Sequence, residues 1–140
     1  MGLNTMAKAK TGSSSAVAER SLQLLKPRPL KPGDSVALVC PGGRPHNPAT
    51  ISLAVRVVED MGFKPVVGEN VLKIHGPMAG TDEERLSDLL KFWQDEAIAG
   101  IFCVGGGYGA LRLVDKVDYE VIRKQPKIFA GGDDNCHLLL

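Results

Sequence analysis

Two glycine-rich stretches carry the residues best suited to chemistry. Gly105-Gly-Gly-Tyr-Gly109 follows the apolar run Ile98-Ala-Gly-Ile-Phe-Cys-Val104, and Gly131-Gly-Asp-Asp134 follows Lys127-Ile-Phe-Ala130. Glycine lets a backbone turn sharply and approach a ligand closely. The amides that open a following helix favour negative charge, so the first stretch reads as an anion-friendly rim. In the second, a tight strand-to-helix turn thrusts Asp133 out at the top of a sheet, the geometry of a nucleophile elbow. A carboxylate there can bind a cation or act as a general acid or base. The plainer readings stay open: a bare glycine turn, and adjacent aspartates that cap a helix beginning near Asn135.

Two further constellations compete. Gly105-x-Gly107-x-x-Ala110 fits the dinucleotide fingerprint formally, after a strand and before a helix. Its confirming acid should lie about 20 residues on, whereas Asp133 and Asp134 come late. The turn also sits well inside the βα series, which that fingerprint normally opens. Cys40, Cys103 and Cys136, with His46 and His137, lie at or just past expected strand ends. A Cys/His metal site is one reading, but no C-x-x-C spacing is present. The cysteines therefore read as small core residues, and Phe92, Trp93 and Phe102 as core. Neither metal nor cofactor is expected.

The elements that must position these residues follow from periodicity. Pro27, Pro29 and Pro32 form a stiff entry, and Lys31-Pro-Gly-Asp34 is a turn by composition. Ser35–Cys40 and Ile98–Val104 are continuous apolar runs ended by Pro or Gly, which marks buried parallel strands. Ile51, Ala54, Val55, Val58 and Met61 recur at helical spacing, with Gly62 as the stop. Lys64–Val67 is a short strand, and the segment after it, with Asn70, His75 and Pro77, reads as loose. Thr81 with Glu84 forms a capping box for a helix whose apolar face is Leu86, Leu89, Leu90 and Trp93. Ala110–Val117 reads as helical, Asp118 caps a further turn, and Lys127–Ala130 is a last strand. The alternation predicts an α/β, Rossmann-like parallel sheet with flanking helices, its ligand site at the carboxyl ends of the strands.

Composition narrows the class. The 140 residues are 44% hydrophobic and 24% charged with a formal net charge of +1. That balance gives no reason to expect a nucleic-acid groove or a membrane surface. No apolar run approaches the roughly 18 residues of a membrane span. Three cysteines, an odd count, speak against a secreted disulfide framework and for a cytoplasmic setting. Residues 1–28 hold Ser13-Ser-Ser15 and a single acid, Glu19. They read as a disordered tail, with an organelle transit segment as the alternative. Leu138-Leu-Leu140 looks like the opening of a helix, so the chain reads as a fragment truncated after the elbow turn.

Across residues 29–140 the sequence resembles the amino-terminal domain of the LD-carboxypeptidases, the S66 serine peptidases that include the microcin-immunity peptidases. The resemblance rests on Leu30-Lys-Pro-Gly-Asp34 with Val36-Ala-Leu-Val39 and its Pro-Gly turn. It continues through Ala79-Gly-Thr-Asp-Glu-Glu-Arg-Leu-Ser-Asp-Leu89, Gly106-Gly-Tyr-Gly109 with Arg112-Leu113, and Pro126-Lys127, all in family order. It implies removal of a terminal D-amino acid from murein tetrapeptides by a serine in a Gly-Tyr-Ser-Asp elbow. It further implies an oxyanion hole built from glycine-turn and post-nucleophile amides, with Glu and His supplied by a carboxy-terminal domain. Carried over, Asp133 takes the nucleophile position, Gly106, Gly107 and Asp134 the oxyanion hole, and Tyr108 a substrate contact. The implied partner is a murein-type peptide with a terminal D-amino acid, and a homodimer is compatible with the family.

The sequence departs from the family pattern at three places. Asp133 stands where the serine belongs, with Gly132 in place of the tyrosine before it. Gly105 replaces the arginine before the glycine turn, and no Glu/His domain follows. An aspartate has no hydroxyl to deprotonate, and its charge repels a developing oxyanion. The expectation is therefore a chain that does not hydrolyse peptides. A silent peptide-binding module and a nucleotide-binding domain using Gly105, Gly107 and Ala110 remain as alternatives.

Overall fold

The computed structural model describes residues 25–139, so the expected tail lies outside it up to residue 24. Four parallel strands, β1 (Ser35–Val39), β2 (Lys64–Val67), β3 (Ile98–Cys103) and β4 (Ile128–Ala130), form one sheet in the order β2-β1-β3-β4. Helices α1 (Ala49–Asp60), α2 (Asp82–Gln94) and α3 (Tyr119–Lys124) make the crossovers. This is the α/β parallel sheet with flanking helices that the alternation predicts.

The central strand explains the run of apolar residues. Val36, Ala37, Leu38 and Val39 are each at most 1% exposed, because both faces of β1 are covered. Successive side chains point to opposite faces. Val36 and Leu38 pack with Ile51, Val58, Val71 and Ala79 on one side. Ala37 and Val39 pack with Leu89, Phe92, Trp93, Ile101 and Leu113 on the other. Phe102, expected in the core, is half-buried against the first of these clusters.

Helix α2 begins as its sequence dictates. Glu84 N donates to Thr81 Oγ1 at 3.3 Å and Thr81 N donates to Glu84 Oε2 at 2.9 Å, closing the capping box. Its buried face differs from the expected one, because Asp82, Arg85 and Asp88 go inside with Leu89, Phe92 and Trp93. Met61, which caps the end of α1, is exposed rather than buried, and within α1 Ile51 and Val58 alone face the core fully.

One reading needs correction. The segment after β2 is anchored rather than loose: Asn70 N and Nδ2 donate to the two oxygens of Asp88 at 2.9 and 2.8 Å, and Val71, Met78 and Ala79 are buried. The helical stretch expected at Ala110–Val117 is present as a 3-10 helix over Ala110–Lys116, and Asp133–Leu138 forms another. The first starts on Gly109 at φ +127°. Its opening amides are held from outside by a carboxylate, which fixes the tighter turn. Asp118 caps α3 as expected, accepting from Glu120 N and Val121 N.

Candidate active site

Parallel strands deliver three loops to one end of the sheet: Pro41–Asn47 after β1, Val104–Gly109 after β3, and Gly131–Asn135 after β4. Contact between the first two requires glycine. A Cβ on Gly43 would collide with the carbonyl oxygen of Gly106. The first loop is also held from its other side, by Arg44 N donating to Pro77 O at 3.0 Å and Ala79 N to Gly42 O at 3.2 Å.

The β4 loop forms the elbow. Asp133 is the single non-glycine residue with positive φ among the described residues, at +56°. Left-handed backbone is costly for residues with a Cβ, and aspartate is among the few that tolerate it. Asp133 therefore stands exposed at the tip, where the turn chemistry places it.

The two aspartates do not cap their own helix. No side chain caps Asp133–Leu138. Both reach back instead to the glycine turn, 23 to 26 residues earlier in the chain. Gly107 N donates to Asp133 Oδ2 at 2.6 Å. Asp134 Oδ2 accepts from Gly109 N, Ala110 N and Leu111 N at 2.8, 2.6 and 3.3 Å. Charge-assisted bonds of this kind are stronger than neutral ones. Asn135, 1% exposed, adds a third link by donating to Gly105 O at 3.0 Å. Gly106 must be glycine for the same reason: its Cβ would lie 2.8 Å from that of Asp133.

Together the loops enclose a cleft of about 430 Å³ with Gly105–Tyr108 and Asp133 on one wall and Arg44, His46 and Thr50 on the other. Tyr108 stands 61% exposed at its rim. Gly106, Gly107, Tyr108 and Asp133 thus line one cleft, while Asp134 lies behind the turn and holds its amides. Arg44 and Thr50 carried no sequence signal beyond following a Pro-Gly turn.

The cysteines are unpaired thiols. Burial pushes both Cys40 and Cys103 up to about 12, so neither is a thiolate near neutrality. Cys40 Sγ lies 2.9 Å from Val104 O as a donor. Cys136 is exposed, unlike the small core residue expected. His137 Nε2 stands 3.4 Å from Asp134 Oδ1. Among the described residues no three His, Cys, Asp or Glu side chains converge at metal-binding distance.

The fold has counterparts in known proteins. The profile of the LD-carboxypeptidase N-terminal domain matches residues 36–140. The chain belongs to the LD-carboxypeptidase family. It is 36% identical over 109 residues to a probable murein peptide carboxypeptidase of Bacillus subtilis, covering 78% of this chain and 34% of that protein. A putative carboxypeptidase of Streptomyces coelicolor is 37% identical over 116 residues, covering 80% of this chain and 37% of its own length. Among solved structures, the microcin C7 self-immunity protein MccF superposes with a TM-score of 0.73 at 28% identity, over 83% of this chain and 35% of that one. The chain spans little more than a third of the length of the relatives it matches.

Proposed function

We propose that this chain is the amino-terminal, recognition part of an LD-carboxypeptidase-type protein, and that it takes a murein-type peptide with a terminal D-amino acid into the cleft without hydrolysing it. The kind of ligand is supported by the murein peptide carboxypeptidase among its relatives. One contact carries the second half of the reading: the Asp133 carboxylate sits 2.6 Å from the Gly107 amide.

Acyl transfer needs a nucleophile and donors aimed at the oxyanion that forms beside it. At the elbow tip Asp133 offers no hydroxyl. Its carboxylate already takes the amide that, by family analogy, would serve the oxyanion. A second negative charge about 4 Å away would meet a repulsion of about 4 kcal/mol at an effective dielectric constant near 20. Loss of even one such donor costs about 10²–10³ in rate. A nucleotide reading is less well supported, because three of the amides a phosphate would use converge on Asp134. The three free thiols fit a reducing, cytoplasmic setting.

The test is incubation with a murein tetrapeptide ending in L-Lys-D-Ala, followed by chromatography for free D-alanine and calorimetry for binding. Saturable heat without D-alanine is the expected result. Release of D-alanine that disappears in Asp133→Ala would overturn it.

A further inference from the structure

The mechanism sketched above makes no use of the most buried charged side chain in the fold. The Arg85 side chain is 0% exposed, in a residue type that is almost never fully buried unless paired. Burial pushes its guanidinium down and the neighbouring Asp82 carboxylate pushes it back up. Asp82 does not account for the whole side chain. Arg85 Nη2 donates to Asp82 Oδ1 at 2.5 Å and lies 3.4 Å from Met78 Sδ. Nη1 is turned elsewhere, to the carbonyls of Pro41 and of Gly109, the latter at 2.8 Å. Pro41 opens one wall of the cleft and Gly109 closes the glycine turn on the other. One nitrogen therefore bridges the two walls.

The far end of the turn is fixed through the same carboxylate. Arg112, on the 3-10 helix that follows, donates to both Asp82 oxygens at 2.9 to 3.2 Å, and Lys116 adds a third cation at 3.0 Å. Asp82 thus has two solvent-facing partners that could neutralise it without Arg85. What only Arg85 supplies is the bridge between carbonyls. A planar fork with donors in two directions makes that bridge while also holding Asp82, and a lysine ammonium does not reproduce it.

We infer that Arg85 is a positioning residue for the cleft, setting the spacing of its two walls and the direction in which the Gly107 N–H points. The binding arm of the following test rests on the peptide reading of the cleft; the spectroscopic arm does not.

The experiment is nuclear magnetic resonance of uniformly labelled protein, unmutated and as Arg85→Lys and Arg85→Met, with calorimetry against the L-Lys-D-Ala tetrapeptide. In the unmutated chain the Gly107 amide proton should resonate downfield, as a short bond to a carboxylate demands. The Arg85 Nη protons should exchange slowly with water and show cross-peaks to Gly109. In Arg85→Lys the Gly107 resonance should move upfield while the sheet amides of Ala37 and Ile101 stay in place, and peptide affinity should fall at least tenfold. A Gly107 amide unmoved in Arg85→Lys, or one that moves only as much as Ala37 and Ile101 do, overturns the assignment. If the variants fail to fold, fast exchange of the Arg85 Nη protons in the unmutated chain overturns it alone. Absence of peptide binding by the unmutated chain would remove the peptide reading and leave the Gly107 result to decide the role of Arg85.

Discussion

Replacing Asp133 by alanine and by glycine should rank the two variants in an order opposite to the usual one. At an ordinary position alanine is the more stabilising of the pair by about 0.4–1 kcal/mol, because glycine leaves the unfolded chain more freedom. At φ +56° the alanine Cβ crowds the following carbonyl, at a cost of about 1–2 kcal/mol that glycine escapes. The difference favours Asp133→Gly over Asp133→Ala by up to about 1.5 kcal/mol. Both lose the bond from Gly107 N to Asp133 Oδ2, so that loss cancels between them. It places each below the parent by roughly a further 1 kcal/mol.

Urea unfolding followed by tryptophan fluorescence can resolve such differences. Trp93 is the chain's single tryptophan. Its indole N–H donates to Gln125 O at 2.9 Å, and its ring lies 5.7 Å from that of Phe129 in β4. The reporter therefore packs against the strand that feeds the elbow. The expected result is Asp133→Gly more stable than Asp133→Ala. If Asp133→Ala proves more stable than Asp133→Gly, the backbone is not left-handed at this residue, and the elbow reading fails with it.

Two further outcomes follow from the same loops. Gly43→Ala drives a methyl group into Gly106 O; it should cost about 1–3 kcal/mol as an overpacked contact, whereas Gly132→Ala, in extended backbone with open space around it, should gain about 0.4–1 kcal/mol, both read by urea midpoints. Asp82 is held well below the usual carboxylate range, foremost by the hydrogen bond from Arg112 and then by Lys116, against burial that pushes it up. A depressed folded pKa means the unfolded state binds the proton first, so this contribution is complete above about pH 4 and is lost as pH falls further. The parent's thermal midpoint should therefore drop more steeply between pH 4 and pH 2 than that of Asp82→Asn, and equal slopes would contradict the network.

Strands β1 and β3 were legible because burial on both faces leaves an unbroken apolar run, and α2's start because Thr81 and Glu84 satisfy each other locally. The glycine turns were legible because a sharp reversal and a close approach both demand the residue without a Cβ. What escaped were partners distant in sequence. Asp133 and Asp134 precede a helical segment, so a local cap is the natural reading of their position, yet their partners lie at Gly107 to Leu111. Hydropathy patterning gave α2 the apolar face Leu86, Leu89, Leu90 and Trp93 and left Asp82, Arg85 and Asp88 out of it, because it scores each residue alone. The spacing held a clue: Asp82, Arg85, Leu89 and Phe92 share one helical stripe, and a cation and an anion three residues apart on an apolar stripe can go inside as a pair.

These buried polar groups separate two properties of the site that the elbow residue would otherwise seem to govern together. The shape of the glycine turn is held from behind, by Asp134 on three amides, by Asn135 on Gly105 O and by Arg85 on Gly109 O. None of these contacts involves the side chain at position 133. What Asp133 adds is one acceptor on one amide at the cleft surface. The donor geometry can therefore persist whichever residue stands at the elbow tip, while the identity of that residue decides whether the Gly107 N–H is free for a ligand or already engaged. In this chain it is engaged, by a group with a charge and no transferable proton.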